Sequence, residues 1–320
     1  MRLVSRLGSL RRWAAREFRD GVLVADWNLG IAHARPADFL TAGLRPDVRW
    51  FPPLPEGHYR ADPFPLVFRG RTYIVYEDYD WQADKGVIVC VELRDGEPGE
   101  PRVVLNLPVH ASYPYLLEHE GQVYCIPETY QAGEVSLFRA KAVPDTWIKD
   151  STLIEKPAID STVFHHAGTW WLACTLDGDG SESDLHLWYS DELRGPWEPH
   201  PRNPVKRDAR SARSAGPPFL YAGHLYRPAQ DSSETYGGKV TINRVEVLNR
   251  SEFREVPASV IEPFADGPVP GGIHTISGFG EYTVLDGKRW VFTRHSWKYA
   301  VKKSYDERWK PRVHRALHPV

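Results

Sequence analysis

The sequence predicts an all-β protein, a five-bladed β-propeller preceded by a short N-terminal extension that can be drawn as a helix. One observation is a pattern of strand, glycine turn and aromatic strand that returns five times along the chain. A second is that no stretch between residues 58 and 297 has the spacing of a long amphipathic helix. A third is size, because 320 residues with 42% hydrophobic content can bury one full core.

Each repeat places a marker residue eight positions before a turn glycine, which is followed by an aromatic strand. The first four glycines are Gly70, Gly121, Gly168 and Gly223. A looser fifth copy runs to Gly287, and we interpret the segment GFGEY as an insertion that lengthens its first strand or turn. The five markers, called slot residues below, are Asp62, Tyr113, Asp160, Ala215 and His274.

The slot residues are about fifty residues apart, which leaves room for four strands in each unit. The segments KGVIVCVEL, EVSLFRAKAV, SDLHLWYSDEL and KVTINRVEVL are typical of the outer strands. Because the first strand of each blade lines the centre of a propeller, the slot residues are expected to face a common axis. We predict a basic segment and lead-in strand over residues 1–50, the propeller over 51–297 and a basic tail over 298–320.

Composition limits the partners and the location. A formal net charge of -2 gives no field for nucleic acid, and no window is long and apolar enough to span a bilayer. We therefore expect a cytoplasmic protein. The basic N-terminal segment is interpreted either as a helix docked on the propeller or as a peripheral contact with the inner face of a membrane.

The sequence predicts no metal and no cofactor. Cys90, Cys125 and Cys174 each lie in an apolar strand, where a buried thiol is expected, and no metal-ligand spacing includes them. The acidic run DGDGSESD over residues 177–184 does not have the ligand order of a calcium loop and is interpreted as a solvated turn.

The sequence resembles the furanosidase-like propellers typified by glycoside hydrolase family 43. It is more similar to the N-terminal domain of plant glucosamine inositolphosphorylceramide transferases and their bacterial relatives. The likeness covers roughly residues 25–297 and is carried by WNLGI at 27–31, ADPF at 61–64, YIVYED at 73–78, SYP at 112–114, IPE at 126–128, AID at 158–160, WW at 170–171, NPV at 203–205, AGP at 215–217 and LYRPAQD at 225–231.

The hydrolase resemblance implies roles for three positions. Asp62 matches the general base of the first blade, and Asp160 matches the aspartate of the third blade that orients and tunes the acid. The fourth-blade acid has no counterpart, since Ala215 and Gly216 occupy its place. Glycosidases place two carboxyl groups across the bond because an alkoxide leaving group needs a proton.

Two solutions remain open for a chain without that acid. Glu128 or Asp231 could serve as a displaced acid. Alternatively, the donor could carry a phosphate, whose departure needs cations rather than a proton, and Asp62 would then deprotonate an acceptor hydroxyl. Candidate contacts to the sugar or phosphate are Arg60, Arg210, Arg213, Arg227 and His274. The arginines could equally be ion-pair partners of buried acids.

We therefore predict glycosyl transfer from a nucleotide- or lipid-linked sugar donor to a glycan or lipid-linked acceptor, as in polysaccharide biosynthesis. The alternatives are a furanosidase-like hydrolase and a carbohydrate-binding module. Sugar-stacking surfaces are expected among Trp81, Tyr113, Trp170 and Trp171.

Overall fold

The computed structural model describes residues 23–293, which form five antiparallel sheets arranged as the blades of a propeller. The prediction of an all-β, five-bladed fold is therefore confirmed. The basic N-terminal residues 1–22 and the tail 298–320 lie outside the described residues.

In chain order, the strands are β1 (Val24–Ala32), β2 (Val48–Trp50), β3 (His58–Phe68), β4 (Arg71–Asp80), β5 (Lys85–Arg94), β6 (Glu97–Pro98), β7 (Arg102–Leu105), β8 (Ser112–His119), β9 (Gln122–Glu128), β10 (Val135–Ala142), β11 (Thr146–Ile154), β12 (Ala158–His166), β13 (Thr169–Leu176), β14 (Asp184–Ser190), β15 (Glu198–Pro199), β16 (Lys206–Arg207), β17 (Phe219–Tyr221), β18 (His224–Asp231), β19 (Lys239–Leu248), β20 (Phe253–Ile261), β21 (Ile276–Phe279) and β22 (Tyr282–Val291). Two 3-10 turns cover Pro36–Leu40 and Tyr130–Ala132.

The fifth blade joins the two ends of the described chain. Blades 1 to 4 contain β3–β7, β8–β11, β12–β16 and β17–β20, whereas blade 5 has the order β2-β1-β22-β21. Strand β1 pairs with β22 from Val24 opposite Val291 to Ala32 opposite Thr283. Residues 24–50, which the sequence assigns to the lead-in segment, thus supply the two outer strands of blade 5. This pairing closes the ring with backbone hydrogen bonds.

The repeated glycines close the inner hairpins of blades 1 to 4. At each turn the glycine and the residue before it both have positive φ, from 47° at Ala222 to 79° at Gly223. A two-residue turn of this kind has the twist that two antiparallel strands need, and glycine adopts it without strain.

The fifth copy of the repeat was placed wrongly by the sequence. Its hairpin turn joins Phe279 to Tyr282, and Gly287 lies inside β22 opposite Asn28. The segment GFGEY is therefore the turn itself and not an insertion. The eight-residue offset does not apply in blade 5, because its turn glycine, Gly280, lies only six positions after His274.

The core lies between neighbouring blades, where apolar side chains from adjacent inner strands pack together. Phe64, Tyr115, Leu137 and Leu172 belong to one buried cluster that spans blades 1 to 3. The three cysteines are buried and free, as predicted. No helix within residues 23–293 has the length and apolar character required to cross a bilayer.

Candidate active site

The slot residues of the first three blades share an unusual backbone conformation. Asp62, Tyr113 and Asp160 have φ values of 53°, 40° and 49°, and the strand register shifts at each of them. Such a β-bulge re-aims a side chain, and a non-glycine residue in this region is strained. The repeated sequence pattern thus encodes a repeated bulge, which spacing alone did not reveal.

Asp62 is held in a buried polar network and is 5% exposed. The Thr275 hydroxyl donates to its Oδ1 at 2.7 Å, and the backbone N–H of Tyr113 donates to its Oδ2 at 3.3 Å. The Nε2 atom of His274 lies 3.6 Å from Oδ1. Burial raises the pKa of Asp62 to about 6, although the charge of His274 opposes the shift. Asp62 can therefore exchange a proton near neutral pH.

His274 is positioned by Asp286, an acid in the second strand of blade 5. The Nδ1 atom of His274 lies 2.6 Å from Asp286 Oδ2, and the backbone N–H of Asp62 donates to the same oxygen at 3.1 Å. Trp27 stacks on the imidazole with ring centres 3.9 Å apart. Burial acts to lower the pKa of His274, but Asp286 and Asp62 outweigh it and raise the pKa. We therefore expect a cationic imidazole between two carboxylates.

Asp160 is held by two side-chain donors. Its Oδ2 accepts hydrogen bonds from Arg213 Nε at 2.6 Å and from Gln230 Nε2 at 2.7 Å. Arg213 also donates to Glu182 Oε1 at 2.7 Å, so the acidic loop interpreted as a solvated turn supplies a partner to the site. Asp160 is 2% exposed, and Arg213 compensates its charge.

Two glutamates in second strands complete the cluster. Glu128 pairs with Ser112 and Glu77 pairs with Ala61, so each lies opposite the residue that precedes a slot residue. Both are buried, and burial, reinforced by neighbouring carboxylates, raises their pKa values well above the ordinary one. The backbone N–H of Asp160 donates to Glu128 Oε2 at 3.0 Å.

Sequence reasoning selected Glu128 but missed Glu77, Gln230, Thr275 and Asp286. The available signal was the alignment of YIVYED with VYCIPE, which places Glu77 and Glu128 at corresponding positions of the first two blades. The slot search covered only the first strand of each unit. The second strand also contributes to the centre because its residues pair with the bulged segment.

Two predicted contacts lie outside the carboxylate cluster, in the segments around blade 4. Asp231 is half-buried, and its Oδ1 accepts hydrogen bonds from the backbone and hydroxyl of Ser233. Arg210 is exposed at the surface, where its Nε donates to Asp208 at 3.0 Å. The structure therefore does not join either residue to Asp62 or Asp160.

Two predicted arginine contacts are corrected by the structure. Arg227 is 2% exposed and forms a two-pronged ion pair with Glu255, with N to O distances of 2.9 and 2.6 Å. Arg60 packs over the Phe51 ring and donates to the carbonyl of Pro52 at 2.6 Å. Both guanidinium groups are used in internal contacts that stabilise the blades.

The stacking surfaces predicted at three aromatic residues are also corrected. Tyr113 is fully buried, and its hydroxyl contacts Thr162 and accepts the N–H of Gly216 at 2.8 Å. Trp170 and Trp171 are both buried in blade 3. None of the three rings presents a face to a ligand, because neighbouring strands already cover them.

Trp81 lines a pocket of about 490 Å³. The pocket lies at the end of the propeller where the first strands of the blades begin, just before the slot residues. Its ring packs edge-on against Tyr59 and Tyr79, with ring centres 5.5 and 5.1 Å apart. Such a pocket, with aromatic walls and a few polar groups, suits a sugar ring. The lining residues are Leu23, Val24, Ala25, Trp27, Tyr59, Tyr79, Trp81, Asp84, His110, Tyr130, Gln131, Ser232, Thr235, Tyr236, Lys288 and Trp290.

The pocket and the carboxylates meet at Trp27 and Tyr236. Trp27 stacks on His274, and the Arg213 guanidinium lies 5.1 Å from the centre of the Tyr236 ring. Asp62 and Asp160 are not among the residues that line the pocket. The two aromatic rings therefore form the boundary between the pocket and the acids.

Three residues of the cluster have the donor set of a cation site. One oxygen each of Asp62 and Asp286 and a nitrogen of His274 lie within 4.8 Å of one another. Two carboxylates and an imidazole suit a divalent cation. Within this group, His274 faces both carboxylates, and Thr275 donates to Asp62.

Comparison with known proteins agrees with the fold and defines the family. Residues 55–264 match the family model described as glucosamine inositolphosphorylceramide transferase 1, N-terminal. The transferase of that name from Arabidopsis thaliana is 35% identical over 208 residues, which are 62% of this chain and 27% of the relative. The one from Oryza sativa subsp. japonica is 36% identical over 210 residues, 63% of this chain and 28% of the relative.

Among solved structures, Zg3597, a family 117 glycoside hydrolase produced by the marine bacterium Zobellia galactanivorans, matches with a TM-score of 0.50. Its sequence identity is 15%, and the match covers 72% of this chain and 85% of the hydrolase. This likeness concerns the fold alone. The chain spans just over a quarter of the length of the curated transferases, whose match includes most of blades 1 to 4. The chain belongs to the family of the N-terminal region of glucosamine inositolphosphorylceramide transferase 1.

Proposed function

We propose that this propeller takes part in glycosyl transfer from a phosphate-activated sugar donor to a glycan or lipid-linked acceptor. The observation that carries the proposal is the tight packing at Ala215 and Gly216, where the fourth blade has no acid. A Cβ atom added at Gly216 would lie 1.9 Å from the carbonyl oxygen of Ile276, and Ala215 is fully buried. Ala215 stands where hydrolase-like propellers carry the glutamate that protonates the leaving group, and an alanine has no proton to donate.

Asp62 is the base in the proposed reaction. Its pKa of about 6 lets it accept a proton near neutral pH. The acceptor O–H bond breaks and its proton goes to the Asp62 carboxylate. The acceptor oxygen bonds to the anomeric carbon as the bond from that carbon to the phosphate oxygen breaks. The phosphate leaves as an anion and needs no proton from the fourth blade.

The pocket supplies the sugar-binding surface in this proposal, and the buried acids lie behind Trp27 and Tyr236. Asp62 is only 5% exposed, so in this proposal a side chain at that boundary moves when the substrate binds. The relatives are named glucosamine inositolphosphorylceramide transferase 1, and that name supports transfer over hydrolysis.

Hydrolysis is a second candidate, favoured by the state of Glu128. This glutamate is buried beside Asp160, and burial raises its pKa well above the ordinary value, which favours the protonated form. A protonated carboxyl group in the cluster could act as a displaced acid.

The test is to incubate the full chain with nucleotide- and lipid-phosphate sugars plus acceptors, and separately with aryl glycosides. Acceptor-dependent product is expected, reduced roughly 100-fold or more by Asp62→Asn and unchanged by Asp231→Asn. Release of aryl alcohol that depends on Glu128 would replace transfer by hydrolysis. Saccharide binding without turnover in either assay would leave a binding module.

A further inference from the structure

One wall of the pocket contains a histidine that sequence reasoning did not select. His110 lines the pocket, and its side chain is 17% exposed. The backbone N–H of Gly86 donates to His110 Nδ1 at 2.9 Å. Because a backbone N–H is always a donor, Nδ1 has no proton, and the neutral imidazole has its hydrogen on Nε2.

That hydrogen faces a buried acid but does not reach it. Nε2 lies 3.6 Å from Glu77 Oε1, which is too long for a hydrogen bond. Glu77 is 4% exposed, and no donor among residues 23–293 reaches its Oε1. A donor and an acceptor at this separation can both be satisfied by one hydroxyl group placed between them, which accepts from Nε2 and donates to Oε1.

Gly86 lies against both groups, and only a residue without a Cβ atom fits there. A Cβ atom added at Gly86 would lie 2.5 Å from Glu77 Oε1 and 2.9 Å from His110 Cε1. Burial lowers the pKa of His110 to about 4, and burial raises the pKa of Glu77, so both shifts favour the uncharged form of the group. Two uncharged groups beside Asp84 suit a neutral hydroxyl and do not attract a phosphate.

We propose that one hydroxyl group of an uncharged saccharide binds between His110 Nε2 and Glu77 Oε1, which makes this wall of the pocket the sugar side of the site. The inference rests on the proposed function only in taking the ligand to be a carbohydrate. His110 donates to the ligand hydroxyl and Glu77 accepts from it, while the backbone N–H of Gly86 holds the imidazole.

The experiment is a titration of the full chain with neutral methyl glycosides, followed by calorimetry and by ¹⁵N NMR of the histidine rings. We expect binding with His110 protonated at Nε2 and a shift of that signal on addition of sugar. His110→Phe and Glu77→Leu should weaken binding tenfold or more, because each removes one of the two partners. Glu77→Gln, which keeps an uncharged acceptor, should stay within about threefold of wild type.

His224→Phe is the matched control, since His224 is exposed at the start of β18. Unchanged affinity in His110→Phe would overturn the inference, as would a proton on Nδ1 or binding of none of the glycosides by wild type. The proposed transfer is judged separately. Sugar binding that depends on His110 without acceptor-dependent product would retain this site and remove the transfer. Transfer with an unchanged KM in His110→Phe would retain the transfer and remove this sugar site.

Discussion

Replacing Asp62 by asparagine should make the protein more stable relative to wild type as the pH rises. Burial moves the pKa of Asp62 from 3.8 to about 6. The folded protein therefore keeps this proton at pH values where the unfolded chain has lost it, so folding opposes ionisation above pH 3.8. One pKa unit corresponds to about 1.4 kcal/mol, so the cost grows to roughly 3 kcal/mol above pH 6.

About half of that cost, roughly 1.4 kcal/mol, develops between pH 5 and pH 8. Asparagine cannot ionise, so the free energy of unfolding of Asp62→Asn should rise by this amount relative to wild type over the same interval. His274 titrates together with Asp62 because their side chains are 3.6 Å apart, so the measured slope belongs to the pair.

Urea unfolding followed by tryptophan fluorescence at pH 5, 6, 7 and 8 measures the difference directly. Glu120→Gln is the control, because its side chain is 78% exposed and its variant should parallel wild type. A difference between wild type and Asp62→Asn that is constant across the four pH values would refute the reasoning. A wild type that gains on the variant with rising pH would refute it more strongly, since Asp62 would then have a lowered pKa.

Three further changes test other parts of the molecule. Gly216→Ala should destabilise the protein by roughly 3 kcal/mol or more in urea unfolding, since its Cβ would overlap the Ile276 carbonyl. Gly223→Ala is the control, because a Cβ there meets open space, and it should cost only about 1 kcal/mol. Equal losses in the two variants would contradict this reasoning. Glu255→Gln should lose about 3–5 kcal/mol at pH 7 because it leaves buried Arg227 without its counter-charge. Burial acts to raise the pKa of Glu255, but Arg227 outweighs it and lowers that pKa, so the ion pair stabilises the fold above the pKa of the unfolded chain. The loss in Glu255→Gln should therefore shrink as the pH falls through the pKa of Glu255 in the folded protein. A loss that is the same at pH 4 and 7 would argue against this role of the ion pair. Trp81→Ala should weaken saccharide binding about 3- to 10-fold in calorimetry with no large change in stability, and an unaltered affinity would remove Trp81 from the sugar surface.

The sequence predicted the fold well because the propeller is a repeat, and the turn glycines of four blades mark its period. Placing side chains was harder. Arg60 and Asp62 both belong to β3, which is buried on both faces, so alternation could not tell the centre from the space between blades. Arg227 lies in β18, which is also buried, so the sequence did not show which way its side chain points. Only the structure brings Glu255 from β20 beside it.

The acids that sequence reasoning missed lie in the second strands of the blades. The search for repeated positions covered only the first strand of each blade. Glu77 and Asp286 reach the centre because they lie opposite the segments that contain Asp62 and His274. In blade 1 that pairing depends on the bulge at Asp62, which shifts the register of β3. A residue with positive φ gives no signal in the sequence unless it is glycine.

The buried carboxyl groups outnumber the cations that face them. Arg213 and His274 are the cations in contact with the cluster among residues 23–293, and its acids are Asp62, Glu77, Glu128, Asp160 and Asp286. Burial, reinforced by the neighbouring carboxylates, raises the pKa values of Asp62, Glu77 and Glu128, so these acids take up protons more readily than separate carboxyl groups would. Holding these acids together costs the fold stability that apolar residues would provide. Such a cost is expected where proton transfer to a bound molecule depends on it, and the adjoining aromatic pocket is where that molecule would bind.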